Sequence, residues 1–327
     1  RNGIRRKSPM GNSIGKILDY VFVPRICYRP RLSSIMAGLS HDEREIVMDR
    51  VAYYNKLQEH THIDGATTVA QYKFPLKKQQ FGDKKSRLST YFFDQYSVLK
   101  YFPEACRFRY EHGDVTHVPS QPAFVKSRPI VGDNVNAILL KLDQHRHFRF
   151  VHDEKAFAEK KNMLVSRTTW CNARPHRRKF CEMFWDHPMC NIGKSQAEPN
   201  EDFPESIKGF LSIEEQLDYK FVACIEGMDV ATNLKWVMSS NSVAVSAPMI
   251  YETWYMEGRL IPDYHYIEVK PDYSDLIEKI EYYIAHPSEA EAIIEHAHEW
   301  VKQFQNPRIE LATQLAVAQK YFDLTDL

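Results

Sequence analysis

The chain lacks a long apolar run, a charge imbalance and a paired-cysteine motif, and each absence removes a class of protein. No stretch approaches the ~20 consecutive apolar residues that cross a bilayer, and the N-terminus has no apolar core of the signal-peptide kind. A chain that is cytoplasmic or peripheral to a membrane is therefore expected. Lysine plus arginine equals aspartate plus glutamate at 43 each, so overall charge gives no reason to expect a nucleic-acid partner. The six cysteines, Cys27, Cys106, Cys171, Cys181, Cys190 and Cys224, form no CxxC pair. Cys181 and Cys190 with His176 and His187 are spaced more loosely than structural zinc ligands, so no metal centre is expected, and a reducing compartment fits better than a disulfide framework. Internal repeats and low-complexity tracts are also missing. No GxGxxG follows an early strand and no convincing YxxxK pair occurs, which argues against a nicotinamide-dependent epimerase.

What is present suits a two-domain globular protein. At 327 residues, with 43% apolar and 26% charged residues, the chain has material for two cores. Residues 1–32 hold eight basic residues against the single acid Asp19, a net +7. That segment is expected to be either an arm touching an anionic membrane or a solvated tail. Ser40 to Leu57 has a capping start and helical apolar spacing, and Pro122 to Ile130 suits a strand ending in a loop. In the second half, Lys220 to Ile225, Ser242 to Ser246 and Tyr266 to Val269 read as buried strands. A helix is expected from Ala231 to Met238, and two more over Tyr273 to His286 and Pro287 to Phe304. This order predicts an α/β parallel sheet with its ligand at the carboxyl ends of the strands.

Three groups of residues have the chemistry for a site. The run Glu226 to Trp236 offers Gly227 for close backbone approach, polar side chains at a helix start and Lys235 one turn in, a combination that suits a nucleotide diphosphate. Arg167 with Thr168, followed by Arg174, His176, Arg177, Arg178 and Lys179, offers guanidinium forks for phosphate; a solvated basic face is the competing expectation, preferred for Arg177 to Lys179. Asp114 sits on a glycine loop beside His117, where either side chain is able to deprotonate a hydroxyl; an idle surface aspartate is the competing expectation. The aromatic group Tyr251, Trp254, Tyr255, Tyr264, His265 and Tyr266 suits either sugar stacking or core packing. No Asp-X-Asp pair occurs to hold a diphosphate through a divalent ion, which leaves that work to side chains and helix dipoles.

The segments KSRPI (Lys126 to Ile130), GDN (Gly132 to Asn134), LLKL (Leu139 to Leu142) and RHF (Arg146 to Phe148) resemble the capsule-associated or lipopolysaccharide-modifying glycosyltransferase family 90. The central block YKFVACIEGMDVATNLKWVMSSNSV (Tyr219 to Val243) and YETWYMEGRLIPDYHYIEV (Tyr251 to Val269) carry the likeness furthest, and the closer resemblance is to bacterial members acting at the inner face of the inner membrane. The resemblance implies a GT-B fold, two facing Rossmann-like domains with the last helix crossing back to the first. The expected divisions are 1–155 on the acceptor side, 156–305 for the donor and 306–327 for that helix. It also implies metal-independent, inverting transfer of a hexose, most simply glucose, from a UDP-sugar to a lipid-linked surface glycan, with no cofactor. Asp114 is then the expected base, and Lys126, Ser127, Arg128, Ser166, Arg167, Thr168, Glu226, Gly227, Asp229, Ala231, Thr232, Asn233, Lys235 and Ser242 the expected donor contacts. Asn233 stands where animal and fungal members place an arginine, so Lys235 or Arg128 is expected to supply that charge. A non-catalytic nucleotide- or glycan-binding protein of the same fold is the alternative.

Overall fold

The computed structural model describes residues 15–16, 20–74, 87–170, 174–197 and 202–325. The chain divides into two compact units, one formed by residues 1–146 with 306–327 and the other by 147–305.

In the first unit, helix α1 spans Arg29–Ala37, α2 His41–Tyr54 and α3 Arg87–Leu99. Helix α2 starts where the sequence places it. Ser40 Oγ accepts from the Glu43 amide and Glu43 returns the bond to the Ser40 amide, a reciprocal cap that satisfies two otherwise orphaned donors. Strands β1 (Tyr110–Glu111), β2 (Ala123–Val125) and β3 (Ala137–Leu139) form a parallel sheet in the order β1-β2-β3. The expected strand over 122–130 is thus two extended pieces, the second being Ser127–Pro129. The last helix, Pro307–Asp323, packs on this sheet: the Tyr321 ring lies 4.3 Å from that of Phe124, and its hydroxyl donates to Pro122 O while accepting from the Arg109 amide. A buried triad adds a polar tie. Glu310 on the last helix takes Arg50 of α2 and Lys141 beyond β3, each at 2.5 Å.

In the second unit, strands β4 (Lys161–Thr168), β5 (Cys190–Lys194), β6 (Tyr219–Ala223), β7 (Val243–Ser246) and β8 (Ile267–Glu268) form one sheet in the order β5-β4-β6-β7-β8, every neighbour parallel. Helices α4 (Pro175–Phe184), α5 (Leu234–Met238), α6 (Leu276–Ala285) and α7 (Pro287–Lys302) connect or follow the strands. Side chains alternate across a strand, so Phe221 and Ala223, Val243 and Val245, and Ile267 share one face and join one core with Phe180 of α4, Ile280 of α6 and Ile293 of α7. The order is that of the flavodoxin-like doubly wound sheet, whose topological switch lies here between β4 and β6. Helix α5 is shorter than expected: residues before Leu234 form turns, and the Asn233 amide group donates to Ala223 O instead of capping.

Candidate functional site

The carboxyl edge of the second sheet is where an open parallel sheet binds its ligands, and the switch point puts the exits of β4 and β6 side by side there. Along β4, Ser166 and Thr168 share one face and Arg167 takes the other. Beyond β6, the turn that begins at Glu226 bounds a narrow crevice at the exits of β6 and β7, with Glu226, Ala231, Ser246 and Glu257 among its walls. Glu226 Oε1 accepts from the Ile250 and Tyr251 amides at 3.1 and 3.2 Å, tying the loop after β7 to the exit of β6. Burial pushes its carboxyl up to about 7, against the pull of those amides. Met228 and Ile250 expose apolar surface beside it.

Several expected donor contacts are corrected by this geometry. Arg167 donates to Gly209 O, Ser166 O, Asn191 O and Asn191 Oδ1 between 2.8 and 3.0 Å, so its guanidinium straps β4 to β5. Lys235 is wholly buried on Glu257, which also accepts from the Thr253 amide. Ser242 donates to Tyr219 O at the amino edge of the sheet, opposite the crevice. At Gly227 a Cβ would press on Arg177 Nη2 at 3.1 Å, so glycine eases the approach of that guanidinium to the turn. Arg177 itself, expected on a solvated face, donates to Glu226 O and Ile225 O at 2.8 Å, while Arg178 is the surface residue, paired with Glu182 and Asp202. Thr232 and Asn233 remain partly accessible in the same turn, where Asp229 and Ala231 are buried.

Arg174, named in the sequence only as one of a basic group, is the member of that group that the structure leaves with an unused donor. It precedes Pro175 at the start of α4, and its Nε is buried with no hydrogen-bond partner among the described residues. The proline, favoured at the first helical position, was the available signal. Of the aromatic group, Trp254, Tyr255, His265 and Tyr266 are core, and Tyr264 lies exposed, stacked on His296 at 3.6 Å. Among the described residues no cluster of three or more His, Cys, Asp or Glu side chains is arranged to hold a metal ion, and no helix is long and apolar enough to cross a membrane.

In the first unit, Asp114 sits on the turn after β1, with 23% of its side chain accessible. Lys126 Nζ donates to its Oδ1 at 2.5 Å and Arg146 Nη2 to the same oxygen at 3.2 Å. Burial raises this carboxyl, but Lys126 and then Arg146 outweigh it and hold the group below its ordinary value. Lys126, Ser127 and Arg128, expected at the donor, are buried in this unit instead. Ser127 donates to Val115 O, bracing the Asp114 turn, and Arg128 donates to Tyr53 O, Tyr54 O and Ala137 O, where a cation satisfies the last carbonyls of α2. His112, two residues before Asp114, bonds Gln95 Oε1 at 2.7 Å, and burial lowers it to about 4, so it stays neutral near pH 7. Of the basic residues in the N-terminal segment, Arg1, Arg5, Arg6 and Lys7 and the Arg29 side chain lie outside the described residues. Lys16 pairs with Asp94 and Arg25 donates to Val69 O and Tyr72 O, so these two are engaged within the unit.

The second unit is therefore a doubly wound α/β unit with a small crevice beyond β6 and β7, and the first presents a cation-gripped carboxylate. Comparison with known proteins gives this pairing an identity. The pattern of glycosyl transferase family 90 matches residues 192–310. O-glucosyltransferase LpsA of Dichelobacter nodosus is 41% identical over 289 residues, covering 86% of this chain and 85% of that protein. Uncharacterized protein 035R of Invertebrate iridescent virus 3 is 31% identical over 94 residues, 28% of this chain and 8% of the viral protein. The chain belongs to glycosyl transferase family 90 and is a glycosyltransferase.

Proposed function

We propose that this glycosyltransferase moves a hexose, most simply glucose, from a UDP-sugar to a hydroxyl of lipopolysaccharide or another lipid-linked surface glycan, with inversion and without a metal ion. The observation that carries the reading is the likeness to O-glucosyltransferase LpsA along most of both chains. The small crevice beyond β6 and β7 supports it, because its walls fall within the stretch that the family pattern covers. The units take the GT-B division of labour: the second handles the donor, and the first, completed by the last helix, handles the acceptor.

The donor's diphosphate lies against Ser166, Thr168 and the turn of Glu226, Gly227, Asp229, Ala231, Thr232 and Asn233. Arg174 and the first turn of α4 supply the positive end that Lys235, Arg128 and Arg167 do not, since an uncapped helix start and a guanidinium both favour a departing phosphate. Asp114 is the general base. Held ionised by its cations, it takes the acceptor's proton as that oxygen attacks the anomeric carbon. The work is placed at the inner face of the inner membrane, with residues 1–32 toward anionic lipid.

Release of UDP tests the reading. Purified protein is given a deacylated or intact lipopolysaccharide acceptor and, in turn, UDP-, GDP-, ADP- and CMP-sugars, with and without a chelator. Acceptor-dependent release of UDP that survives chelation is expected. Release only from a non-uridine donor, or only with an added divalent ion, overturns the donor and metal assignments. Nucleotide binding without any transfer favours a non-catalytic binding protein.

A further inference from the structure

We propose that Arg146 is a positioning residue for the proton transfer: held by Asp143, it fixes the Asp114 carboxylate through Oδ1 and leaves Oδ2 to receive the acceptor's proton. The inference rests on the reading of Asp114 as the base.

The geometry is asymmetric in a way that matters chemically. Both cations that touch Asp114, Lys126 and Arg146, donate to Oδ1, and among the described residues no hydrogen bond reaches Oδ2. Lys126 is 1% exposed and held in place by its surroundings, whereas Arg146 is 28% exposed, on a par with the 23% of Asp114 itself. A carboxylate with one oxygen clamped and one bare presents its basic lone pairs in a fixed direction, which is what proton abstraction in a transition state requires.

Arg146 is itself held from several elements. Its Nε forms an ion pair with Asp143 Oδ2 at 2.9 Å, close but not aligned as a hydrogen bond. Asp143 is 6% exposed and sits at φ 53°, in the left-handed region that an aspartate enters at some cost and keeps only where its surroundings enforce it. The short helical turn that carries Arg146 is pinned by the Gln144 amide donating to buried Asp94 at 2.9 Å, and Asp94 in turn pairs with Lys16. The charged and titratable groups facing this array are Lys126 from the segment after β2, Tyr91 and Asp94 from α3, and Asp143 from the turn after β3. Burial raises Asp143 and the Arg146 guanidinium opposes that rise, while burial of Arg146 is outweighed by the two aspartates around it. The array therefore runs Lys126, Asp114, Arg146, Asp143, with alternating sign.

The step it serves balances as follows. The acceptor's O–H proton passes to Asp114 Oδ2 as a lone pair on the acceptor's own oxygen forms the new bond to the anomeric carbon. The bond from that carbon to the phosphate oxygen breaks, and its electron pair leaves with UDP. The proton on Asp114 is returned to solvent before the next turnover.

The experiment measures kcat, the KM for UDP-glucose and the pH profile of kcat/KM for Arg146→Gln, Arg146→Lys, Asp143→Asn and Asp114→Asn, with thermal unfolding of each to verify folding. Arg146→Gln is expected to lower kcat on the order of 100-fold, to leave the donor KM within about twofold and to move the acid limb to higher pH, because one cation no longer favours the carboxylate. Asp143→Asn is expected to move the limb the other way, since Arg146 then faces one fewer negative charge. Arg146→Lys keeps the charge without the two-sided fork, and is expected to return the limb toward wild type while kcat stays low. Limbs that do not move, that move in the same direction in Arg146→Gln and Asp143→Asn, or a change confined to donor KM overturns the proposal. Should Arg146→Gln fail to fold, the downward shift in Asp143→Asn decides alone. Asp114→Asn separates the two levels: an active Asp114→Asn rejects the base itself, whereas an inactive one beside wild-type-like Arg146 and Asp143 variants rejects only this inference.

Discussion

Glu226→Gln removes one charge from the crevice and leaves its shape, so it reads the physical state of the site without substrate. The Glu226 carboxyl lies at about 7 in the folded protein against an ordinary 4.5, burial being the main cause and the Tyr251 and Ile250 amides opposing it. A carboxyl whose folded value is raised keeps a proton that the unfolded chain has released. Between pH 4.5 and about 7, stability therefore falls as pH rises; below that window no cost is felt, and above it the whole cost is present. At about 1.4 kcal/mol per pH unit, the cost above pH 7 is about 3 kcal/mol. Glutamine preserves the acceptor of the Ile250 and Tyr251 amides and cannot ionise. At pH 5 the two proteins should melt together. At pH 8 the variant should melt higher by roughly 6 to 12 °C, taking about 2 to 4 °C per kcal/mol for a unit of this size. Scanning calorimetry across pH 5 to 8 gives the answer, and a wild-type-to-variant difference that does not change with pH would refute the burial argument.

Other perturbations follow from the same contacts. Lys235→Met leaves Glu257 as a buried charge without its cation, and should cost about 3 to 5 kcal/mol in urea unfolding; Lys235→Met combined with Glu257→Leu should recover part of it. Gly193→Ala places a Cβ 2.7 Å from Ser206 O and 2.8 Å from Lys208 Cγ, and should destabilise by about 1 to 3 kcal/mol, seen as a lower melting temperature. Tyr321→Phe takes away the hydroxyl that serves both Pro122 O and the Arg109 amide, and should cost about 1 to 3 kcal/mol by denaturant titration, with little change at a surface control such as Lys302→Gln.

The local parts of this fold were legible and the long-range parts were not. The cap of α2 could be read because Ser40 and Glu43 are three residues apart and satisfy each other. The runs YKFVA and VAVS could be read because only a strand covered on both faces tolerates unbroken apolar sequence. Arg128 is expected from the family resemblance and Lys235 from its place one turn into the expected helix; the partners that bury them lie 74 residues away at Tyr54 and 22 away at Glu257, beyond what local sequence shows. Arg167 offers a guanidinium beside Thr168 in the sequence, but the strand's alternation turns it away from Ser166 and Thr168. The helix expected from Ala231 was read from composition, and Asn233 bonding back to Ala223 O ends that reading, since nothing in the local sequence announces the partner. Arg174 and Pro175 were visible together, and only the sheet order, with its switch between β4 and β6, shows what they adjoin.

The central claim is that the second unit holds UDP at the carboxyl ends of β4 and β6. A crystal structure of the protein grown with UDP and a chelator tests it directly. The account predicts nucleotide density with the diphosphate between Thr168, Arg174 and the turn from Glu226 to Asn233. Nucleotide bound at any other place, or a crevice left empty at saturating UDP, contradicts it.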